Sequence, residues 1–381
     1  MRDSERMLDE ILQKISYEIS ITQPMIDKAV NSYEAVGKWL GDGLDYDVHI
    51  SPQGSMSLGT TIKPISDEDD YDIDLVCLLK DGTTLTAENI KNIVGDRLKE
   101  NETYRQKIES EGEGKRCWKM RYYEFHMDIL PCVPKNIYLE PNYTEIRLTH
   151  KKAAHYYVDH FSNPYGYKQW FESRMTDILQ KSRRDFAIKN KLDIDDVPTY
   201  RVKTPLQQAI QLLKRHRDIC FEHDLDNAPI SIIITTLSAL AYNGESSVYE
   251  ALCNILHHMS DYIEVRNGIY WVENPTMSEE NFADKWEQYP QRARAFFSWI
   301  QKAQKELIED PLSSLGIDSL KRKYAAALGE APVNRAIKAL GYDMQNAVKQ
   351  NRLYSAGLTA GLTTTSNVDN KPVRGHTFYG K

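Results

Sequence analysis

The chain has few cysteines, no apolar run long enough to cross a bilayer and no excess of positive charge. Its 5 cysteines, Cys77, Cys117, Cys132, Cys220 and Cys253, include no pair at C-x-x-C spacing. An odd, scattered set is no disulfide framework and offers no structural zinc site, so a reducing compartment is expected. The most apolar stretch, Ala228 to Ala241, is short and interrupted by Ser and Thr, which excludes a membrane span. The opening MRDSER lacks the apolar core of a secretory signal, and a cytoplasmic protein is expected. Lys plus Arg number 48 against 55 Asp plus Glu, a formal net charge of −7. Affinity for long nucleic acids rests on a basic excess, so this balance counts against a duplex-binding scaffold but permits a local basic pocket. There is no internal repeat and no heptad pattern.

What is present suits a globular protein. Hydrophobic residues make up 41% and charged residues 27% of 381 residues, enough for a proper core and for two domains or one bilobal unit. Leu8, Ile11, Leu12, Ile15 and Ile19 recur at helical spacing over 4–20. A second helix follows Pro24, with Ile26, Val30, Tyr33 and Val36 on one stripe and Gly41 to Gly43 ending it. Residues 46–53 read as a strand running into Gly54-Ser55, 71–79 (YDIDLVCLL) as a strand, 86–100 as a helix and 116–133 as a hairpin. After Pro164 the character is helical, with candidates at 165–191, 204–223, 229–242, 246–260, 278–308 and 317–349. From Asn351 the chain is rich in Gly, Ser, Thr and Asn without period, and a flexible tail is expected over 351–381. The fold class expected is α+β and bilobal. Two N-terminal helices over 1–45 would pack on a helical lobe at 161–350, beside a mixed-sheet core at 46–160.

The informative block is Gln53-Gly54-Ser55-Met56-Ser57-Leu58-Gly59-Thr60, followed by Asp72-Ile73-Asp74. In a strand, residues i and i+2 share a face, so Asp72 and Asp74 project together while Ile73 and Leu75 enter the core. Alone, such a pair reads more simply as solvated acids on an edge strand. The preceding Gly-Ser changes that: Gly54 permits close backbone approach, and Ser55 offers an N–H and a hydroxyl where a phosphate can sit. Adjacent carboxylates repel unless a cation neutralises them, and hard divalent cations take oxygen ligands. Asp128 lies on a second alternating stretch, FHMDILP, and completes a triad able to hold two Mg²⁺ ions, with Mn²⁺ as substitute, about 3.5–4 Å apart. For His126 and Glu124 the simpler reading is strand surface. The run Ser66 to Asp70 reads as a solvated loop, without a metal role for Asp69 or Asp70.

These motifs, Q-G-S-x-x-x-G-T, D-I-D and the single Asp before I-L-P, resemble the nucleotidyltransferase signature of the polymerase-β-like superfamily. Within it the chain most resembles the CD-NTases, the cGAS/DncV-like nucleotidyltransferases of bacterial anti-phage CBASS systems, over about 45–135 and less closely over 200–290. The resemblance implies a catalytic core whose nucleotide cleft is completed by the helical lobe. Asp72, Asp74 and Asp128 would be catalytic and hold the metals, Asp128 also helping to activate the attacking hydroxyl. Gln53, Gly54 and Ser55 would hold the donor triphosphate, with Lys214 as the matching lysine on helix 204–223 and Ser231 at the start of the next helix. Without the upstream motif, Lys214, Arg215 and Arg217 read as a solvated basic cluster. Asn274-Pro275 and Asn281 look like the family's N-P…N segment, although a turn and a capped helix would explain them too. The zinc insertion of animal cyclic GMP-AMP synthase is absent, which argues against activation by duplex DNA.

The function expected is a metal-dependent synthase that makes a cyclic di- or trinucleotide messenger from NTPs, ATP among them, with release of pyrophosphate. The product would activate an effector, and a CBASS accessory protein could act on the C-terminal tail, GHTFYGK. Three rivals stand beside it. A template-independent RNA-tailing polymerase would need a basic groove, and a silent nucleotide-binding regulator would not need the intact triad. Transferases acting on proteins or antibiotics are usually shorter and lack the helical lobe. Replacing Asp72→Asn with Asp74→Asn is expected to abolish turnover and leave the fold intact, since both face away from the core. Measured activity retained in a folded double variant would refute the metal assignment.

Overall fold

The computed structural model describes residues 3–66, 70–136, 144–194, 202–314 and 316–350, together with Tyr354, Ser355, Leu362, Thr363 and 371–373. The chain divides into two units. A sheet unit comprises Ser20–Val202 and Glu273–Phe282, and a helical unit comprises Met1–Ile19, Lys203–Val272 and Ala283–Lys381.

Of the elements before the sheet, α1 (Asp3–Ile19) belongs to the helical unit and α2 (Gln23–Gly41) to the sheet unit. The sheet unit continues with β1 (Val48–Pro52), the single turn α3 (Gly54–Ser57), β2 (Tyr71–Leu79), α4 (Ala87–Glu100) and α5 (Glu102–Glu109). Then come β3 (Trp118–Arg121), β4 (Phe125–Pro134), β5 (Ile146–Ala153), β6 (Tyr156–Ser162), α6 (Pro164–Ser173) and α7 (Thr176–Asn190). The sheet is mixed, in the order β1-β2-β4-β5-β6, with β3 added to β4. β2 and β4 run parallel, joined by a crossover through α4, α5 and β3. All other pairings are antiparallel.

Alternation along β2 and β4 separates two faces. Tyr71, Ile73, Leu75, Cys77 and Leu79 point with Phe125, Met127, Ile129 and Val133 into a core closed by Ala29, Val36 and Leu40 of α2, Ile90, Val94 and Leu98 of α4, and Ile108 of α5. The opposite face carries Asp72, Asp74 and Asp128, and farther along the strands Val76 and Cys132 meet Ile146 and Leu148 in a small second core. The N-terminal helices thus separate: α2 closes the sheet core, whereas α1 is the helix that joins the helical bundle.

The helical unit is built around α8 (Pro205–Cys220), which opens with a capping box between Thr204 and Gln207. It packs against α1, α9 (Ser231–Ala241), α10 (Val248–His258), α12 (Pro290–Gln304) and α14 (Ile317–Leu328), and is consequently buried on all sides. Asp9 of α1 accepts the Tyr249 N–H at the start of α10 (3.0 Å), and burial raises its carboxyl above the usual range. Around this bundle lie β7 (Glu264–Arg266), β8 (Ile269–Trp271), α11 (Lys285–Gln288), α13 (Asp310–Leu312) and α15 (Glu330–Lys349). No described helix is long and apolar enough to cross a membrane.

Three helix expectations need correction. The helix expected over 165–191 breaks at Arg174-Met175 into α6 and α7. The one expected over 317–349 breaks at Gly329, with φ 98°, into α14 and α15. The segment beginning at 278 is not helical: β9 (Glu273–Asn274) and β10 (Met277–Asn281) form a hairpin in the sheet unit, and the helix starts only at Lys285. Asn274 turns this hairpin by accepting from Thr276 N–H (3.0 Å) and donating to Glu280 (2.6 Å). On α8, Lys214 and Arg215 are only 6% and 4% exposed, so the plainer alternative of a solvated basic cluster does not hold for them. In the tail, β11 (Tyr354–Ser355) pairs with both β12 (Leu362–Thr363) and β13 (Lys371–Pro372), where the sequence shows no period. Residues 375–381 lie outside the described residues.

The α4–sheet contact depends on Gly95. A Cβ there would meet the Trp118 ring at 2.1 Å, and that indole, 4% exposed, donates to Lys91 O at 2.9 Å. Alanine would gain about 1 kcal/mol of helix propensity, whereas overpacking costs roughly 1–3 kcal/mol, more if the indole loses its hydrogen bond. Gly95→Ala is therefore expected to lower the urea midpoint; an equal or higher midpoint would show that Trp118 is free to move.

Candidate active site

The site grows out of the β1–β2 pairing. Pro52 is opposite Leu75, and the next backbone contact, Gln53 N–H to Asp74 O at 2.8 Å, carries the pairing one residue further. The chain must then turn off the sheet directly above Asp74. It does so at Gly54, with φ 58°, where a Cβ would lie 2.7 Å from Asp74 Oδ2. Only glycine combines that backbone angle with that approach. The turn closes through Leu58 N–H to Gly54 O (3.2 Å), Thr60 N–H to Ser55 O (2.9 Å) and Ser57 Oγ–H to Gly54 O (3.0 Å). Ser55 shares a hydroxyl hydrogen bond with Thr61 at 3.1 Å. The helix expected after Ser55 is a single turn of four residues, too short for a macrodipole, so what it offers an anion is its local N–H groups.

The three carboxylates converge from two adjacent strands. Asp74 and Asp128 are register partners across β2 and β4, and Asp72 is opposite His126. Asp72 is exposed, and Asp74 and Asp128 are half-buried. His126 Nε2 lies 2.7 Å from Asp70 Oδ2, while Arg121 Nε approaches the same oxygen at 3.4 Å. Asp70 is thereby held by the strand surface; Asp69 lies outside the described residues. Glu124 pairs with Lys28 at 2.9 Å.

Two groups behind Asp128 escaped the sequence reading. The Cys117 thiol donates to Asp128 Oδ2 at 3.2 Å. Burial, reinforced by the Asp128 charge, pushes this thiol up to about 12, so it stays a protonated donor. Lys91 of α4 is fully buried and donates to Gly114 O (2.6 Å) and Cys117 O (2.7 Å). Burial draws its amine down to about 8 against the pull of Glu113, 3.8 Å away. The groups of β2 and β4 on this face that can hold a cation are carboxylate oxygens. That set suits hard divalent cations.

Lys214 and Ser231 belong to the helical unit, whereas Gln53, Gly54, Ser55 and the carboxylates belong to the sheet unit. Lys214 is buried on α8. Ser231 opens α9 and accepts from Arg217 Nη1 at 3.3 Å, and the same guanidinium holds Pro229 O at 2.6 Å. His216, Cys220 and Glu306 also approach to ligand spacing, within 4.8 Å of one another. Trp299 Nε1–H donates to His216 Nδ1 (3.0 Å), which leaves Nε2–H to donate to Glu306 (3.0 Å). Both imidazole nitrogens are committed to hydrogen bonds, which leaves His216 no free lone pair for a metal.

A methyl group on Gly54 would displace the Asp74 carboxylate and strain the backbone. Because misplacing a reacting group by about 1 Å can cost roughly 100-fold, Gly54→Ala should lower the turnover expected from the sequence by that order while the protein stays folded. Steady-state turnover at the wild-type rate would contradict the close approach.

Comparison with known proteins gives a consistent result. The nucleotidyltransferase domain of cyclic GMP-AMP synthase DncV-like proteins matches residues 48–132. A c-di-GMP synthase of Roseivirga ehrenbergii is 31% identical over 388 residues, covering 99% of this chain and 98% of that protein. The cyclic dinucleotide synthase CdnG of Bradyrhizobium diazoefficiens is 24% identical, over 93% of this chain and 88% of that protein. The structure of the Bradyrhizobium diazoefficiens CD-NTase CdnG in complex with GTP has a TM-score of 0.68 at 22% identity, over 88% of this chain and 99% of that one. With a relative matched from end to end, the chain belongs to the CD-NTases, the cGAS/DncV-like nucleotidyltransferases, and is an enzyme that makes cyclic oligonucleotides from nucleoside triphosphates.

Proposed function

We propose that the chain joins two molecules of GTP into a cyclic dinucleotide, in two successive transfers at one set of carboxylates. The observation that carries the reaction is the placement of Asp74 opposite Asp128 on one sheet face, with Gly54 against Asp74. The choice of guanine rests on the Roseivirga ehrenbergii relative, named a c-di-GMP synthase and similar along the whole chain. It narrows the expectation from the sequence, which included ATP.

Asp72, Asp74 and Asp128 would hold two divalent ions, Mg²⁺ or Mn²⁺. When bound, these supply charge neutralisation of the triphosphate and of the departing pyrophosphate. In each transfer a ribose hydroxyl oxygen attacks the donor's α-phosphorus, the bond to the β-phosphate breaks and pyrophosphate leaves. Asp128 takes up the hydroxyl proton. The N–H groups of the turn at Gly54 and Ser55, together with Gln53, orient the phosphates. Lys214 is proposed as a further phosphate contact on the strength of the family resemblance, and Ser231 with it. Catalysis is then mainly positioning and electrostatics. The family resemblance further suggests that the product is a messenger for an effector in anti-phage signalling.

The test incubates the purified protein with each labelled NTP alone and with all four, plus Mg²⁺ or Mn²⁺. Phosphatase-resistant products are separated and weighed. GTP alone should give one discrete product containing two GMP residues, absent in the Asp72→Asn with Asp74→Asn variant. A product that requires ATP would overturn the guanine assignment, and a ladder of lengthening products would identify a tailing polymerase.

A further inference from the structure

The strongest unassigned feature is the set of buried groups behind Asp128. Cys117 immediately precedes β3, where Trp118 is opposite Ile129 and Lys119 opposite Asp128. Alternation sends Trp118 into the core shared with α4 and leaves the Cys117 side chain on the carboxylate side. Its sulfur reaches Asp128 Oδ2 at 3.2 Å, with the residue only 8% exposed. The backbone of this corner is fixed from the core: Lys91 Nζ bonds both Gly114 O and Cys117 O, at 2.6 and 2.7 Å, and lies 5.1 Å from the Trp118 ring centroid. A fully buried ammonium is costly unless hydrogen-bonded, so its use on two loop carbonyls makes the corner rigid. A hydrogen-bonded chain therefore runs from α4 through the turn to one oxygen of Asp128.

We propose that Cys117 is a positioning residue for nucleotidyl transfer: its thiol holds Oδ2 of Asp128, fixes the carboxylate's rotamer and presents the other oxygen to the reaction, while Lys91 fixes Cys117. A thiol suits this task because it is a weak, uncharged donor. The proposal rests on Asp128 being a carboxylate of the reaction.

The test measures kcat, KM for GTP and the Mn²⁺ or Mg²⁺ concentration giving half-maximal rate in the full chain, for Cys117→Ala, Cys117→Val, Cys117→Ser and Asp128→Asn. Thermal melting reports folding. The two variants without a donor should lose about tenfold or more in kcat and need more divalent ion, with KM unchanged. Cys117→Ser, which keeps a donor, should recover most of both. Wild-type kcat in Cys117→Ala or Cys117→Val overturns the proposal, as does a serine variant no better than alanine. If the donor-less variants do not fold, the serine variant decides alone, since near-normal kcat and ion requirement are expected of it. Turnover retained by Asp128→Asn would instead refute the role of Asp128, a failure distinguishable from that of Cys117.

Discussion

Two carboxylates held in register on adjacent parallel strands are the constraint to which the rest of the sheet unit answers. Asp74 and Asp128 are opposite one another, and like charges at that spacing repel. Nothing in an apolar core would tolerate the pair, so it lies on the face away from α2, α4 and α5. The small core of Val76, Cys132, Ile146 and Leu148 begins only beyond it along the strands. The parallel crossover creates the register, and the antiparallel β1 brings Gly54 against Asp74. The fold thus places the Gly54 turn beside concentrated negative charge, an arrangement that makes chemical sense when cations bind there.

The helices behind the sheet do more than cover it. Trp118 fits against α4 only because position 95 lacks a side chain, and its indole caps Lys91 O. Lys91 then reaches past the indole to the corner that carries Cys117. Core packing and site geometry are therefore coupled through backbone carbonyls, and a disturbance in α4 has a direct route to Asp128. In the helical unit, polarity is buried in a comparable way: α8 holds Gln207, Gln211, Lys214, Arg215 and His216 away from solvent, with Trp299, His216 and Glu306 in one hydrogen-bond chain. That bond to His216 keeps the Glu306 carboxyl below its usual range.

Much of this was legible in the sequence because it is local. The alternation in YDIDLVCLL assigned both faces of β2, and FHMDILP did the same for β4. The glycine of Q-G-S announced a close approach, although not that the approached atom is a carboxylate oxygen of Asp74. What could not be read depends on partners distant in the chain. The polar run Ser278 to Asn281 has helix formers but pairs with Glu273–Asn274 as a strand. The stripe of α2 was visible, but nothing in it says that it faces the sheet and not the helical bundle. That Lys214 and Arg215 are buried could not be read either, because burial of α8 on every side is a property of five other helices. Cys117 escaped for a related reason, since its partner is fixed by strand register. Lys91 left one usable sign, a charge beside the apolar positions Ile90, Val94 and Leu98, but its acceptors are main-chain oxygens that no side-chain pattern records.

The central claim is that Asp72, Asp74 and Asp128 together form one cation site facing a triphosphate. A crystal grown with Mn²⁺ and a non-hydrolysable GTP analogue, examined by anomalous scattering, tests it most directly. The account predicts Mn²⁺ density bound by all three carboxylates, with the analogue's phosphates at the turn formed by Gly54 and Ser55. Mn²⁺ held elsewhere, or phosphates bound away from that turn, would contradict it.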